Sequence, residues 1–529
     1  MKLSFYGADR EVTGSCHCID INGKRILIDC GLFQGHGEEN NKFFAFDPEK
    51  IDYVIITHAH IDHSGRLPML VKQGFKGKIY ATRATCHLLS IMLRDSAHIQ
   101  EMDVQWKNKK SKRAGKEPDV PLYTIEDAEK CLKHLIPCKY DEDLSIWDGV
   151  MIKFTDAGHL LGSSSVSMSL TEKGISKLIV FSGDIGNTDQ PIIRDPSYLT
   201  DADYVVMEST YGDRDHETEK NYTVGLANII NQTLSRGGNV VIPSFAVGRT
   251  QELLYYFREI KEQRLVYANP DFPVYVDSPL ASEATKIYDS DLLDNADEQS
   301  IEIIKSGFDP IKFSNLHLCE TEEESISLNE DITPKVIVSS SGMCEAGRIR
   351  HHLKHNLWRK ECSVVFVGFQ ADGTLGRKIV EGAQSVHLFG EDISIAAEIH
   401  NFRGLSAHAD RTGLIKWISS FNPKPEKVFI VHGENTSCDV FSNTLHEMGF
   451  DTFIPKFETS YDLLSDKLLS EGIDMPNVKH ADHASTSFSR LHAAGMRLLD
   501  VIEHNSGGSN KDLAKFTDQI IELCRKWDR

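Results

Sequence analysis

The sequence predicts an α/β chain: a first domain whose apolar strands deliver polar side chains to one sheet edge, a doubly wound α/β unit inserted into it, and a helical extension at the end. Three observations predict this. First, Arg25-Ile26-Leu27-Ile28-Asp29, Lys153-Phe154-Thr155-Asp156-Ala157-Gly158-His159 and Leu178-Ile179-Val180-Phe181-Ser182-Gly183-Asp184 are apolar runs that lead into a glycine-containing turn bearing His or Asp. Second, from about residue 206 short buried strands alternate with helical stretches: Gly238–Pro243, Pro273–Asp277, Lys335–Ser339 and Cys362–Gly368, with Thr250–Glu259 between the first two. That alternation is the pattern of a doubly wound unit. Third, Lys427-Val428-Phe429-Ile430-Val431-His432-Gly433 restores the first pattern. Residues 206–385 therefore read as an insertion into a domain made of 1–205 and 386–465.

The remainder, 466–529, has helical spacing at Phe488, Leu491, Leu498, Leu499 and Ile502 and again at Leu513, Phe516, Ile520 and Leu523. Ser509 is an N-cap candidate with Asp512 three residues on. The apolar stripes of such an α-hairpin must pack on something, either this chain or a second copy in a homodimer.

A chain of 529 residues is too long for one ordinary domain, and 40% hydrophobic content is enough for real cores. It has no run of about 18 apolar residues, which argues against a membrane span. Met1-Lys2-Leu3-Ser4-Phe5-Tyr6-Gly7 enters a strand-like segment rather than a signal peptide, and the eleven cysteines are scattered without a repeated Cys-x-x-Cys. Both features predict a cytoplasmic protein with reduced thiols. The net charge of −20 excludes coating of DNA by a broad basic surface, but not a narrow cleft made positive by metal ions. One basic run, Lys107 to Lys116, is either a solvated helix end or a phosphate contact.

The most informative segment is Thr57-His58-Ala59-His60-Ile61-Asp62-His63-Ser64-Gly65. It follows Tyr53-Val54-Ile55-Ile56, which reads as a buried parallel strand, so the cluster sits where an open α/β sheet forms its ligand crevice. Neutral imidazole and carboxylate suit zinc and similar ions. Four ligands in one turn are too many for a single catalytic zinc that also needs partners elsewhere, which points to two adjacent metals.

His58, His60, Asp62 and His63 form an HxHxDH motif. Asp29, His159 in Asp156-Ala157-Gly158-His159, Asp184 in Ser182-Gly183-Asp184 and His432 follow in the order of the metallo-β-lactamase superfamily, which this set resembles. The resemblance implies an αββα sandwich. It implies that His58, His60 and His159 hold one Zn2+ and Asp62, His63 and His432 the other, with Asp184 bridging; Mn2+ is the alternative ion. Asp29 would orient a ligand histidine or the loop, its other reading being a turn cap.

Within the insertion, Met207-Glu208-Ser209-Thr210-Tyr211-Gly212-Asp213-Arg214, Pro243-Ser244-Phe245-Ala246-Val247-Gly248-Arg249, Asp277-Ser278-Pro279-Leu280-Ala281 and Ser340-Ser341-Gly342-Met343 resemble hallmarks of the β-CASP nucleases, as does Ser406-Ala407-His408-Ala409-Asp410 beyond it. The likeness runs over roughly residues 1–455 and is strongest to prokaryotic relatives of the pre-mRNA 3′-end-processing endonuclease. It implies a zinc-dependent ribonuclease acting by two-metal hydroxide attack in the cleft between the domains. Asp62, Glu208 and His408 are its catalytic residues, Glu208 orienting His408 and keeping it protonated as a general acid. A histidine at position 432 accompanies RNA-directed members, which implies an RNA substrate.

Arg249, Ser340, Ser341 and Gly342 are candidate phosphate holders, since arginine binds phosphate bidentately and a small-residue turn exposes N–H groups. The rival readings are a metallohydrolase of small esters or thioesters and a non-catalytic RNA-processing scaffold.

Overall fold

The computed structural model describes residues 1–474, except 114–117, 217–220, 369, 371–372 and 403, and then 498, 502 and 510–527. It separates into two units, Met1–Met475 and Pro476–Arg529.

The first unit contains an αββα sandwich. One sheet has the order Lys467–Ser470, Ser460–Asp462, Lys2–Phe5, His17–Ile21, Lys24–Ile28, Tyr53–Ile55, Lys78–Thr82, Leu135–Cys138. The facing sheet runs Thr452–Phe453, Lys427–Val431, Tyr204–Glu208, Ile175–Phe181, Ser164–Glu172, Val150–Asp156, Leu144–Trp147. Their inner faces meet in an apolar layer that includes Leu3, Phe5, Ile19, Ile28, Ile55, Phe154, Val166, Phe181, Val206, Phe429 and Val431. Each sheet is antiparallel on one side and parallel on the other. Lys24–Ile28, Tyr53–Ile55 and Lys78–Thr82 are parallel neighbours in the first, and Ile175–Phe181, Tyr204–Glu208 and Lys427–Val431 in the second. The parallel strands end at the same edge, so the residues after Ile28, Ile55, Phe181 and Val431 come together there.

The inserted unit is a six-stranded, wholly parallel sheet: Leu316–Cys319, Val274–Asp277, Val336–Ser339, Val240–Pro243, Ser363–Val367, Glu398–Phe402. Because Glu398–Phe402 pairs with Ser363–Val367, the chain returns to the sandwich after Phe402 rather than at 386. Likewise Tyr204–Glu208 belongs to the sandwich, so it departs after Glu208 rather than at 206. The two bodies touch through polar contacts of the long helix Arg83–Arg113 with the helix Pro279–Asn295. Arg83 pairs with Asp294, and His87 Nδ1 lies 2.6 Å from Asp291 Oδ2. Gly248 (φ +84°) lies so close to Leu160 that a Cβ there would sit 2.9 Å from Leu160 Cδ1. The insertion therefore abuts the loop that carries His159.

The extension is not helical from its start. Lys467–Ser470 pairs antiparallel with Ser460–Asp462 and continues the first sheet. The second unit contains the helix Asn510–Trp527, which carries Leu513, Phe516, Ile520 and Leu523. Phe488, Leu491, Leu499 and the Ser509 cap lie outside the described residues. The basic run ends the helix Arg83–Arg113, Lys116 lying outside the described residues. No helix among the described residues is long and apolar enough to cross a membrane.

The histidine-bearing loop is clamped from below. Cys30 N–H donates to His63 O at 2.8 Å, Leu32 N–H to Ile61 O at 2.9 Å and Ser15 N–H to Asp62 O at 2.8 Å. Gly31 lies between these bonds, and a Cβ there would stand 1.6 Å from Asp62 O. Gly31→Ala is expected to lower unfolding stability by about 2 kcal/mol or more, as overpacking of a rigid contact does. Urea denaturation checks this, and a midpoint equal to that of the unmodified chain would count against the clamp.

Candidate metal centre

Six strand ends build the centre. His58 follows Tyr53–Ile55, Asp184 follows Ile175–Phe181, His432 follows Lys427–Val431 and His159 follows Val150–Asp156. Asp29 follows Lys24–Ile28, and Glu208 closes its own strand. Asp29 and His432 both hold left-handed backbone, φ +62° and +50°, a conformation that Asp and His tolerate better than most residues. His408 arrives from the returning chain. It bridges antiparallel to Gly186, and Ala409 N–H donates to Ile185 O at 2.8 Å, which pins it beside Asp184.

Side chains able to hold a metal ion gather into three sets: His58, His60, His159 with Asp184; Asp62, His63 with His432; and Asp184, Glu208 with His408. Asp184 belongs to the first and third and reaches the second. Its Oδ2 lies 3.4 Å from His58 Nε2 and 3.6 Å from His159 Nε2, while its Oδ1 lies 3.2 Å from His63 Nε2 and 3.6 Å from His432 Nδ1. Asp62 Oδ2 is 3.6 Å from His432 Nε2. The two halves of one buried carboxylate thus face different histidine groups.

The hydrogen bonds behind the histidines fix where their lone pairs point. His63 Nδ1 donates to Asp29 Oδ2 at 2.7 Å, since a carboxylate can only accept. Thr57 Oγ1 donates to Asp29, 2.9 Å from Oδ2 and 3.1 Å from Oδ1. Having given its one proton there, it accepts from His58 Nδ1 at 3.1 Å. Both rings therefore point their Nδ1 proton outward and turn their Nε2 atoms toward the centre. Those atoms stand 3.1 Å from His60 Nδ1 and 3.1 Å from His432 Nε2, and Asp184 Oδ1 is buried without a hydrogen-bond partner. Inward-facing imidazole nitrogens and an orphaned carboxylate oxygen converging on one buried space fit divalent cations.

Burial opposes a charge on His63, but Asp184 and then Asp29 raise it well above the ordinary imidazole range. Burial, then the neighbouring His63, push His58 well below the ordinary imidazole range; burial, then His408, do the same to His159. Burial works against the charge of Asp184, but His432 and His63 hold it well below the usual carboxylate range. Burial likewise opposes the charge of Asp62, and its hydrogen bond to His432 and the charges of His63 and His60 bring it to about 2. His408 Nδ1 lies 3.2 Å from Glu208 Oε2. Burial resists its protonation, yet Glu208 and then Asp184 raise it to about 9.

The four phosphate candidates lie on the inserted unit. Ser340, Ser341 and Gly342 form a turn at the carboxyl end of Val336–Ser339, with Ser340 Oγ donating to Ser278 Oγ at 2.8 Å and Gly342 close beneath the Phe245 ring. Arg249 is buried at the start of its helix and its guanidinium is bonded to Glu252. Two polar residues that the sequence reading passed over belong to the site. Thr57 is one, and Thr210 is the other, its hydroxyl 2.6 Å from Glu208 Oε2 and 3.1 Å from His432 Nδ1. The signal available in the sequence was a hydroxyl placed at a strand end beside a candidate ligand or acid.

Family profiles match three stretches of the chain. Residues 9–205 match the metallo-beta-lactamase superfamily, 250–379 the Beta-Casp domain and 392–455 the Zn-dependent metallo-hydrolase RNA specificity domain. The chain is 37% identical over 458 residues to "Ribonuclease TTHA0252" of Thermus thermophilus, covering 86% of this chain and 99% of that one. It is 33% identical over 473 residues to "Transcription termination factor FttA" of Methanocaldococcus jannaschii, covering 86% and 70%. To the protein of that name in Methanosarcina mazei it is 31% identical over 469 residues, covering 85% and 70%. The chain belongs to the β-CASP nuclease family of the metallo-β-lactamase superfamily and is a metal-dependent hydrolase.

Proposed function

We propose that this chain is a two-zinc ribonuclease that hydrolyses RNA phosphodiester bonds in the cleft between the sandwich and the inserted unit. The observation that carries the reading is Asp184, whose two carboxylate oxygens address two histidine groups at once. His58, His60 and His159 would hold one zinc, Asp62, His63 and His432 the other, and Asp184 would serve both. When bound, two such ions supply a water deprotonated near neutral pH and positive charge for the phosphoryl oxygens.

The chain's own residues do the rest. Asp29 and Thr57 hold His63 and His58 in the tautomers that present their inner nitrogens. Glu208 occupies His408 Nδ1 and favours the imidazolium, leaving Nε2–H to deliver a proton to the departing ribose oxygen. His408 keeps about a fifth of its side chain exposed, whereas Glu208 behind it is buried, so the pair presents one proton donor to the cleft. Support for RNA comes from the RNA specificity domain match that contains His432 and from the relative named a ribonuclease. A chain of net charge −20 would gain the local positive charge it needs for a polyanion at this centre.

Labelled RNA, bis(p-nitrophenyl) phosphate and a thioester, each assayed with zinc and after chelation, test the reading. RNA cleavage should dominate, stop on chelation and return with zinc; preference for the thioester would overturn it. Asp62→Ala combined with His63→Ala should cut the rate at least about 10³-fold and lower zinc below two per chain, because it removes ligands outright. His408→Ala should slow kcat by about 10²–10⁴-fold, the usual worth of a positioned acid, while zinc content stays at the unmodified level. Zinc loss in that variant would reassign His408 as a ligand.

A further inference from the structure

Thr210 stands between the two halves of the proposed chemistry. Its hydroxyl lies 2.6 Å from Glu208 Oε2, 3.2 Å from the His432 carbonyl oxygen and 3.1 Å from His432 Nδ1. A hydroxyl carries one proton and two lone pairs. Both oxygen neighbours can only accept, and the short contact to a carboxylate outcompetes a carbonyl at 3.2 Å. Whichever oxygen takes the proton, nothing remains to donate to the ring. The contact with His432 Nδ1 is a hydrogen bond only if Nδ1 carries the proton and Thr210 accepts it. Asp184 Oδ1, 3.6 Å from the same nitrogen, also favours a proton there. Nε2 is then the lone-pair nitrogen, and it is the atom that faces Asp62 Oδ2 at 3.6 Å and His63 Nε2 at 3.1 Å. Thr57 does the same for His58 on the other side of the centre.

We propose that Thr210 is a positioning residue that locks His432 in its Nδ1-protonated tautomer, so that Nε2 is presented to the metal shared with Asp62 and His63. The inference rests on the two-zinc reading and deepens it. A single threonine hydroxyl then links the carboxylate that holds His408 to Nδ1 of His432, across the ring from its ligand nitrogen.

Thr210→Val keeps the shape and removes the hydroxyl; Thr210→Ser keeps the hydroxyl. Zinc uptake is measured by competition with a chromophoric chelator, alongside kcat, KM and the melting temperature. Thr210→Val should weaken the weaker zinc site about 10–100-fold, the usual worth of a group that orients a ligand histidine, and lower kcat with KM little changed. Thr210→Ser should recover zinc binding to within about threefold of the unmodified chain, since it retains the acceptor. In zinc-free protein labelled with ¹⁵N-histidine, the His432 signals, assigned with His432→Gln, should report protonated Nδ1 in the unmodified chain and in Thr210→Ser, and a mixture of tautomers in Thr210→Val. An unmodified chain that binds two zincs while Thr210→Val binds them equally well, or while Thr210→Ser is as impaired as Thr210→Val, overturns the lock alone. An unmodified chain that takes up no second zinc and leaves RNA intact overturns the two-zinc reading, and the lock falls with it.

Discussion

The structure depends on one buried carboxylate. Asp184 has no hydrogen-bond donor for Oδ1 and is ringed by imidazoles, so its charge must be answered by protons or cations on them. The αββα framework makes that crowding attainable. Parallel strands on the two sheets end at the same edge, which brings residues from distant parts of the sequence onto one carboxylate without a long unsupported loop. The bonds from Ser15, Cys30 and Leu32 to the histidine loop, and from Ala409 of the His408 segment to the Ile185 carbonyl, then make the arrangement rigid before any ion enters.

Rigidity continues into the residues that touch no ion. Asp29 accepts from Thr57 and His63, and Glu208 accepts from Ile185 N–H, Thr210 and His408. Each acid is buried and each is surrounded by donors, so it serves as a fixed acceptor that dictates proton positions on its neighbours. Charge and tautomer at the centre are thus written by hydrogen bonds from the rear, a use of polar groups in a core that would otherwise be costly.

Much of this was legible in the sequence because metal chemistry and strand burial leave dense local signals. His58, His60, Asp62 and His63 occupy one turn, and an apolar run precedes each of His159, Asp184 and His432, so residue type and element were read together. Thr57 and Thr210 were not singled out because a hydroxyl has no pattern of its own; its role exists only when a carboxylate and an imidazole stand on either side. Arg249 was read as a phosphate holder because a guanidinium binds phosphate bidentately; its burial beside Glu252 is a property of three-dimensional packing that no local pattern announces. The edges of the inserted unit were misplaced for a similar reason. Nothing in the runs Tyr204–Glu208 and Glu398–Phe402 says which sheet each one joins; only pairing decides it.

The inserted unit leaves the sandwich directly after Glu208 and rejoins it just before His408, and these two residues, 200 positions apart, are hydrogen-bonded. The bond works like a clasp closing a very large ring of chain. Both ends of the clasp sit on the sandwich, so the ring begins and ends at the same hydrogen bond. A sandwich that accepts such a module must therefore supply the acid and the imidazole itself, at the two points where the ring is tied on.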